Sequence, residues 1–121
     1  MRFTKDHEWV ELTGDIASVG VTAFAADQLG DIVFVELPKI GTAISAGVAF
    51  AVVESVKAAS DIFAPVSGEV VEVNTVLQSE PDRINTDAEG AGWLVKVRIS
   101  DPQSLDLLMD RAAYEVFLKG S

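Results

Sequence analysis

No cysteine occurs in the 121 residues, which excludes disulfide staples, thiolate metal sites and a cysteine nucleophile. It also means that no protein thiol can exchange with a foreign disulfide. Basic residues are scarce, with nine Lys and Arg against nineteen Asp and Glu for a net charge of −10. Nucleic acid and anionic membrane both demand phosphate neutralisation by Lys and Arg, so this balance argues against either as a partner. Protein partners are expected to present basic rims, unless the charge serves only solubility. No apolar run approaches the roughly 20 residues that span a bilayer. Met1-Arg2-Phe3-Thr4-Lys5 leads directly into a strand pattern, so the expectation is a cytoplasmic, bacterial protein with no signal or transit peptide. The lone histidine, His7, cannot build a metal site of three or four ligands and is read as structural. There is no glycine-rich phosphate loop, nucleophile elbow or Cys–His pair, and no catalytic residue is expected.

What is present is ordinary globular composition, 49% hydrophobic and 23% charged, in a length that suits one folded domain over residues 1–121. His7 to Leu12 and Ile16 to Val21 read as strands around a turn at Thr13-Gly14-Asp15. Thr22 is placed to cap a short helix ending at Leu29, with Gly30 just beyond it. Ile32 to Leu37, Val48 to Val53 and Val66 to Val73 read as further strands. Trp93, Val95, Val97 and Ile99 alternate with Leu94, Lys96 and Arg98, one face buried and the other wet. Residues 75–92 hold Pro81 and no clear period, which predicts a long loop. From Pro102 the period changes, and Leu105, Leu108, Met109, Ala112, Ala113, Val116 and Phe117 predict an amphipathic C-terminal helix packed on the sheets. Asp110 could cap a second helix, leaving one or two open. Trp9 and Trp93 are assigned to the core. Glu69 and Glu72 are placed on opposite strand faces, which disfavours joint acid–base work.

One stretch stands out. Glu54-Ser55-Val56-Lys57-Ala58-Ala59-Ser60-Asp61 sets a single lysine among polar and small residues between two strand patterns, Val48 to Val53 before it and one resuming at Ile62-Phe63-Ala64 after it, centred between Gly47 and Gly68. Lys57 is therefore expected at the tip of a β-hairpin. A tip holds an ε-amine away from the body, where an enzyme can enclose it and an attached group can travel between active sites. An exposed turn lysine is otherwise only a solvated cation on a flexible stem.

The run Glu54-Ser55-Val56-Lys57-Ala58, followed by Ala64-Pro65-Val66-Ser67-Gly68-Glu69-Val70-Val71-Glu72-Val73-Asn74, resembles the lipoyl-lysine segment of the glycine cleavage H-protein family. His7-Glu8-Trp9-Val10, Gln28-Leu29-Gly30-Asp31-Ile32-Val33-Phe34-Val35-Glu36-Leu37-Pro38 and Gly92-Trp93-Leu94-Val95-Lys96 resemble it too, in the family's order. The resemblance thus covers nearly the whole chain. Two places depart from it: Ala88-Glu89 stands where a Pro-Tyr pair is usual, and Phe24-Ala25-Ala26 where more polar residues are common. Both lie away from Lys57, so they bear on partner contacts more than on the modified lysine.

The resemblance implies an all-β barrel-sandwich hybrid of the lipoyl-domain type. Its features are two small antiparallel sheets, peripheral helices, the lysine on a hairpin tip and a C-terminal helix. It implies a non-catalytic, monomeric carrier whose cofactor is (R)-lipoate joined covalently to Lys57 as N6-lipoyllysine. Implied partners are a pyridoxal-phosphate glycine decarboxylase (P protein), a folate-dependent aminomethyltransferase (T protein), a flavin dihydrolipoyl dehydrogenase (L protein), and a lipoate ligase or lipoyl/octanoyl transferase. By position, Glu8 and Asp61 match carboxylates that receive the loaded arm in a surface cleft. Glu54, Val56 and Ala58, flanking the lysine, are candidates for recognition by the ligase. Two alternatives stay open: a related protein that relays lipoate to 2-oxoacid dehydrogenases, and a biotin carrier. Biotin carriers set methionines beside the lysine, where this chain has Val56 and Ala58.

Overall fold

The computed structural model describes residues 1–120. Strand β1 (Arg2–Phe3) folds back on β2 (Glu8–Thr13), which pairs with β3 (Ile16–Val21). Thr13 lies opposite Ile16, so Gly14 and Asp15 alone make the turn, and Gly14 supplies the positive φ of 65° that a tight hairpin needs. Helix α1 (Ala23–Leu29) follows at once. Thr22 accepts the Ala25 N–H at its start and Gly30 ends it with φ 81°, as the capping pattern predicts.

Next come β4 (Ile32–Glu36), β5 (Ala43–Ile44), β6 (Ala49–Ser55), β7 (Ala59–Phe63) and β8 (Gly68–Val73). Helices α2 (Val76–Ser79) and α3 (Arg83–Asp87), then β9 (Val95–Ile99), a 3-10 turn (Pro102–Leu107) and α4 (Arg111–Lys119), complete the described chain. The strands form two antiparallel sheets, a six-stranded one ordered β1-β2-β3-β9-β8-β5 and a three-stranded one ordered β4-β6-β7. The fold class read from the sequence is the one observed. Inward residues of the two sheets, including Val19, Val70, Val95 and Val97 from the larger and Val35, Val53 and Ile62 from the smaller, form one apolar cluster. Burial of these branched side chains is the main force holding the layers together.

Several expectations need correction. The strands around Lys57 are longer than the apolar patterns Val48–Val53 and Ile62 onward, because Glu54 pairs with Ala59 and Val53 with Ser60. Polar and small residues there continue the ladder without continuing the apolar pattern. Residues 75–92 are not a plain loop but carry α2 and α3, which bury Leu77 and Ile84, with Ala88 buried just past the end of α3. Helices this short offer too few turns for a period to register. Leu94, assigned to the wet face, is fully buried; it precedes β9, so strand alternation does not govern it. Trp93 is only half-buried, with the Lys96 ammonium 5.0 Å from its ring centre. A bulge between Val70 and Glu72 sets Glu69 opposite Arg98 and Glu72 opposite Lys96, so the two glutamates share one face rather than opposing. Each pairs loosely with its basic neighbour, at 3.9 and 3.8 Å.

The C-terminal segment is not one amphipathic helix. It is the 3-10 turn, begun by Pro102, and then α4, capped by the Asp110 carboxylate accepting the Ala113 N–H. Ala112, Ala113 and Val116 are exposed, and the side chain that α4 buries is Tyr114. The larger sheet is closely drawn together at Gly68, where an added Cβ would collide with the Arg98 carbonyl. Gly68→Ala is expected to cost about 2 kcal/mol, or roughly 8 °C of Tm, measurable by thermal unfolding.

Candidate functional site

Val56, Lys57 and Ala58 make the turn between β6 and β7. Ser55 staples this turn. Its buried hydroxyl accepts the N–H groups of Lys57 and Ala58, each at 3.2 Å, and donates to the Ala58 carbonyl. The Val56 N–H donates to the Asp31 carbonyl at 3.1 Å, tying the tip to the residue before β4. Lys57 is thus exposed on a rigid backbone, as the sequence predicts. Val56 and Ala58 flank it in the open, and Glu54 is half-buried at the end of the ladder.

The lysine side chain lies over Gly30, where a Cβ would stand 3.3 Å from Lys57 Cε. Its Nζ donates to the Gln28 carbonyl at 3.2 Å. That carbonyl belongs to the last turn of α1, where the helix dipole favours a cation.

Gln28 also lines a cleft of about 260 Å³, whose other walls include His7, Glu8, Phe24, Leu29, Asp61 and Phe63. The structure therefore brings Glu8 and Asp61 into one hollow, with the Lys57 amine resting on a residue of its rim. Asp61 is exposed, opposite Val52 across β6 and β7. Glu8 is only 3% exposed. Burial pushes its carboxyl up to about 7, against the opposing hydrogen bond from Thr4, with the Asp6 charge adding to the rise and a backbone bond from Phe63 resisting it. The Thr4 hydroxyl donates to Glu8 Oε1 at 2.6 Å.

Sequence reasoning missed three contributors. The Phe24 ring packs on the His7 ring at 4.6 Å between centroids and faces the cleft, so that departure from the family pattern reaches the hollow that holds Glu8 and Asp61. Tyr114 meets His7 Nδ1 at 2.8 Å from a helix more than a hundred residues away in sequence, and no local pattern links the two. Ser55 was visible only as a polar residue beside the lysine; a hydroxyl two residues before a turn's centre is the signal that could have found it. His7 itself lines the cleft, its imidazole pKa lowered by burial against the raising influence of Asp6.

The Ala88-Glu89 departure serves the frame. The Ala88 carbonyl accepts the Trp9 indole N–H at 2.9 Å. Glu89 accepts the Ala23 N–H at the start of α1 and pairs with Arg111 of α4 at 2.7 Å. Among the described residues no cluster of His, Cys, Asp and Glu could hold a metal, and no helix is long and apolar enough to cross a membrane.

Two antiparallel sheets packed face to face, with a lysine on the stapled turn of the smaller, define a lipoyl-type carrier domain. The glycine cleavage H-protein family model matches residues 1–121, and the chain belongs to that family, the lipoyl carriers of the glycine cleavage system. It is 61% identical to the glycine cleavage system H protein of Phenylobacterium zucineum over the full length of both chains. With that of Caulobacter vibrioides it shares 58% identity, covering 98% of each. The crystal structure of a glycine cleavage system H protein from Mycobacterium marinum superposes with a TM-score of 0.87 at 41% identity, covering 98% of this chain and 95% of that one.

Proposed function

We propose that Lys57 is the lipoylated residue, in a single lipoyl-binding domain that acts as a monomeric, non-catalytic and cytoplasmic carrier. The observation that carries this reading is the position of the Lys57 amine, exposed on a stapled hairpin and resting at the rim of a cleft that holds Glu8 and Asp61. In the cycle that family membership supports, glycine decarboxylase removes CO2 from glycine and passes the aminomethyl carbon to one sulfur of the lipoyl disulfide. The S–S bond breaks as the S–C bond forms, the other sulfur becomes a thiol, and the glycine carbon supplies the two electrons. Aminomethyltransferase moves the methylene to a reduced folate and releases ammonia, leaving a dithiol. Dihydrolipoyl dehydrogenase then withdraws two electrons and two protons to restore the disulfide. The partners and the lipoyl group supply the covalent chemistry. This chain presents the arm, shields the loaded group between Glu8 and Asp61, and offers a surface for recognition.

Intact-mass measurement of the protein from its native host, with peptide mapping, tests the assignment: a lipoyl adduct on Lys57 supports it, and an unmodified or biotinylated Lys57 overturns it. The ligase or transferase reads Glu54 with Val56 and Ala58. Glu54 stands at the base of the tip, where its carboxylate can steer a basic enzyme. Glu54→Lys is expected to slow lipoylation by about tenfold at low salt, with unchanged circular dichroism. A rate equal to that of the native chain would remove Glu54 from the recognition surface.

A further inference from the structure

His7 has a φ of 67°, the one positive value among described residues other than glycine. It closes the turn between β1 and β2, where glycine would adopt the same conformation without strain. A histidine kept in such a place signals that its side chain is being used. Its Nδ1 lies 2.8 Å from the Tyr114 hydroxyl, which lies 2.8 Å from Thr22 Oγ1. Thr22 Oγ1 in turn accepts the Ala25 N–H at 3.2 Å. One proton order satisfies every group: Thr22 donates to Tyr114, and Tyr114 donates to a bare Nδ1 of neutral His7. The Tyr114 ring is itself fixed by stacking on Phe3, at 4.6 Å and 8°.

The next residue is Glu8. The Thr4 N–H donates to the Glu8 carbonyl at 3.0 Å, and the Glu8 N–H to Thr4 Oγ1 at 3.1 Å, beside the Thr4–carboxylate bond already described. These contacts close only because the chain reverses at His7. Were His7 to relax to a negative φ, the peptide before Glu8 would turn and this set could not be kept together.

We propose that Tyr114, which does not line the cleft, is a positioning residue for the arm-docking site: its hydroxyl locks His7 in the left-handed turn that presents the Glu8 carboxyl to the cleft. The proposal rests on the reading that the loaded arm docks against Glu8. Besides His7, the charged and titratable groups around this carboxyl and the Tyr114 hydroxyl are Asp6 on the same turn, Asp61 on β7, Arg111 on α4 and Glu89 before β9.

Tyr114→Phe keeps the stacked ring and deletes only the hydroxyl. Carbon NMR of the unlipoylated protein, with Glu8 assigned through Glu8→Gln, is expected to show the Glu8 titration midpoint falling by about one pH unit as water reaches the loosened turn. An unchanged midpoint overturns the proposal. In a His7→Gly background, where glycine holds the turn without the clamp, Tyr114→Phe should move the midpoint no further; an additional shift would mean that Tyr114 acts by another route, and overturns it as well. On the loaded, lipoylated protein, Tyr114→Phe is expected to speed ammonia release about fivefold, the worth of one hydrogen bond. It should add nothing to Glu8→Gln. Additive effects would mark Tyr114 as merely stabilising and overturn the positioning role. Release from Glu8→Gln at the rate of the native chain would instead sink the docking reading, and the NMR midpoint then decides the role of Tyr114 without the arm.

Discussion

Replacing Lys57 by arginine is expected to abolish lipoyl attachment and to reduce glycine decarboxylation supported by this chain to background. Arginine keeps a cation that can still reach the Gln28 carbonyl, so charge and local packing change little. What it removes is an amine that can lose its proton and be acylated, since a guanidinium stays charged far above any working pH. The turn itself is held by Ser55 and by the backbone bond from Val56 to Asp31, neither of which involves the lysine side chain. The variant should therefore fold like the native chain, and a loss of function reads directly on the chemistry. Other lysines are poor substitutes. Lys96 lies on β9 over Trp93, Lys119 ends α4, and Lys5 and Lys39, though near turns, lie outside the β6–β7 tip. Intact mass after incubation with lipoate, ATP and a ligase gives the decisive comparison. An arginine variant that still gains the lipoyl mass would refute the assignment.

The hairpin around Lys57 was legible because turn chemistry and strand alternation are local, although the polar and small residues nearest the tip continued the ladder beyond the apolar pattern. The β2–β3 hairpin, the Thr22 and Asp110 caps and the buried face of β9 were legible for the same reason. The bulge at Val70 was not, because an extra residue in one strand is defined only by its partner, and it reversed the relative faces of Glu69 and Glu72. Glu8 and Asp61 could be paired only through the family resemblance. Nothing in their own surroundings reveals that β2 and β7 meet at one hollow, or that Glu8 is buried. The hydrogen bond between Tyr114 and His7 was least visible of all, since it joins the last residue of the β1–β2 turn to a helix whose apolar spacing pointed at other side chains.

Exchanging Glu8 for Gln and Asp61 for Asn together is expected to release ammonia from the loaded arm about tenfold faster than the native chain at pH 8, in the absence of the transferase. The loaded arm ends in a cation, the empty arm does not, and a charge-assisted hydrogen bond in a shielded cleft is worth about 1.5 kcal/mol or more, a factor of about ten. The pH dependence has a definite sign. With the cleft empty, the folded-state pKa of Glu8 is raised from 4.5 to about 7 by burial, so between those values the folded chain binds more protons than the unfolded one. Stability is therefore lost as pH rises through that window, by about 3 kcal/mol at most. Glu8→Gln should flatten the loss, which urea unfolding at pH 5 and pH 8 will reveal. A docking cation reverses the balance by favouring the carboxylate. Docking then expels the Glu8 proton near neutrality and tightens as pH rises from 6 to 8, until the amine itself loses its charge. The tenfold difference in ammonia release should accordingly shrink below pH 6, where a proton increasingly competes with the amine for the Glu8 carboxylate. Equal release from both proteins across that range would remove the docking role from Glu8 and Asp61 while leaving Lys57 as the carrier, because attachment to the hairpin tip does not depend on the cleft.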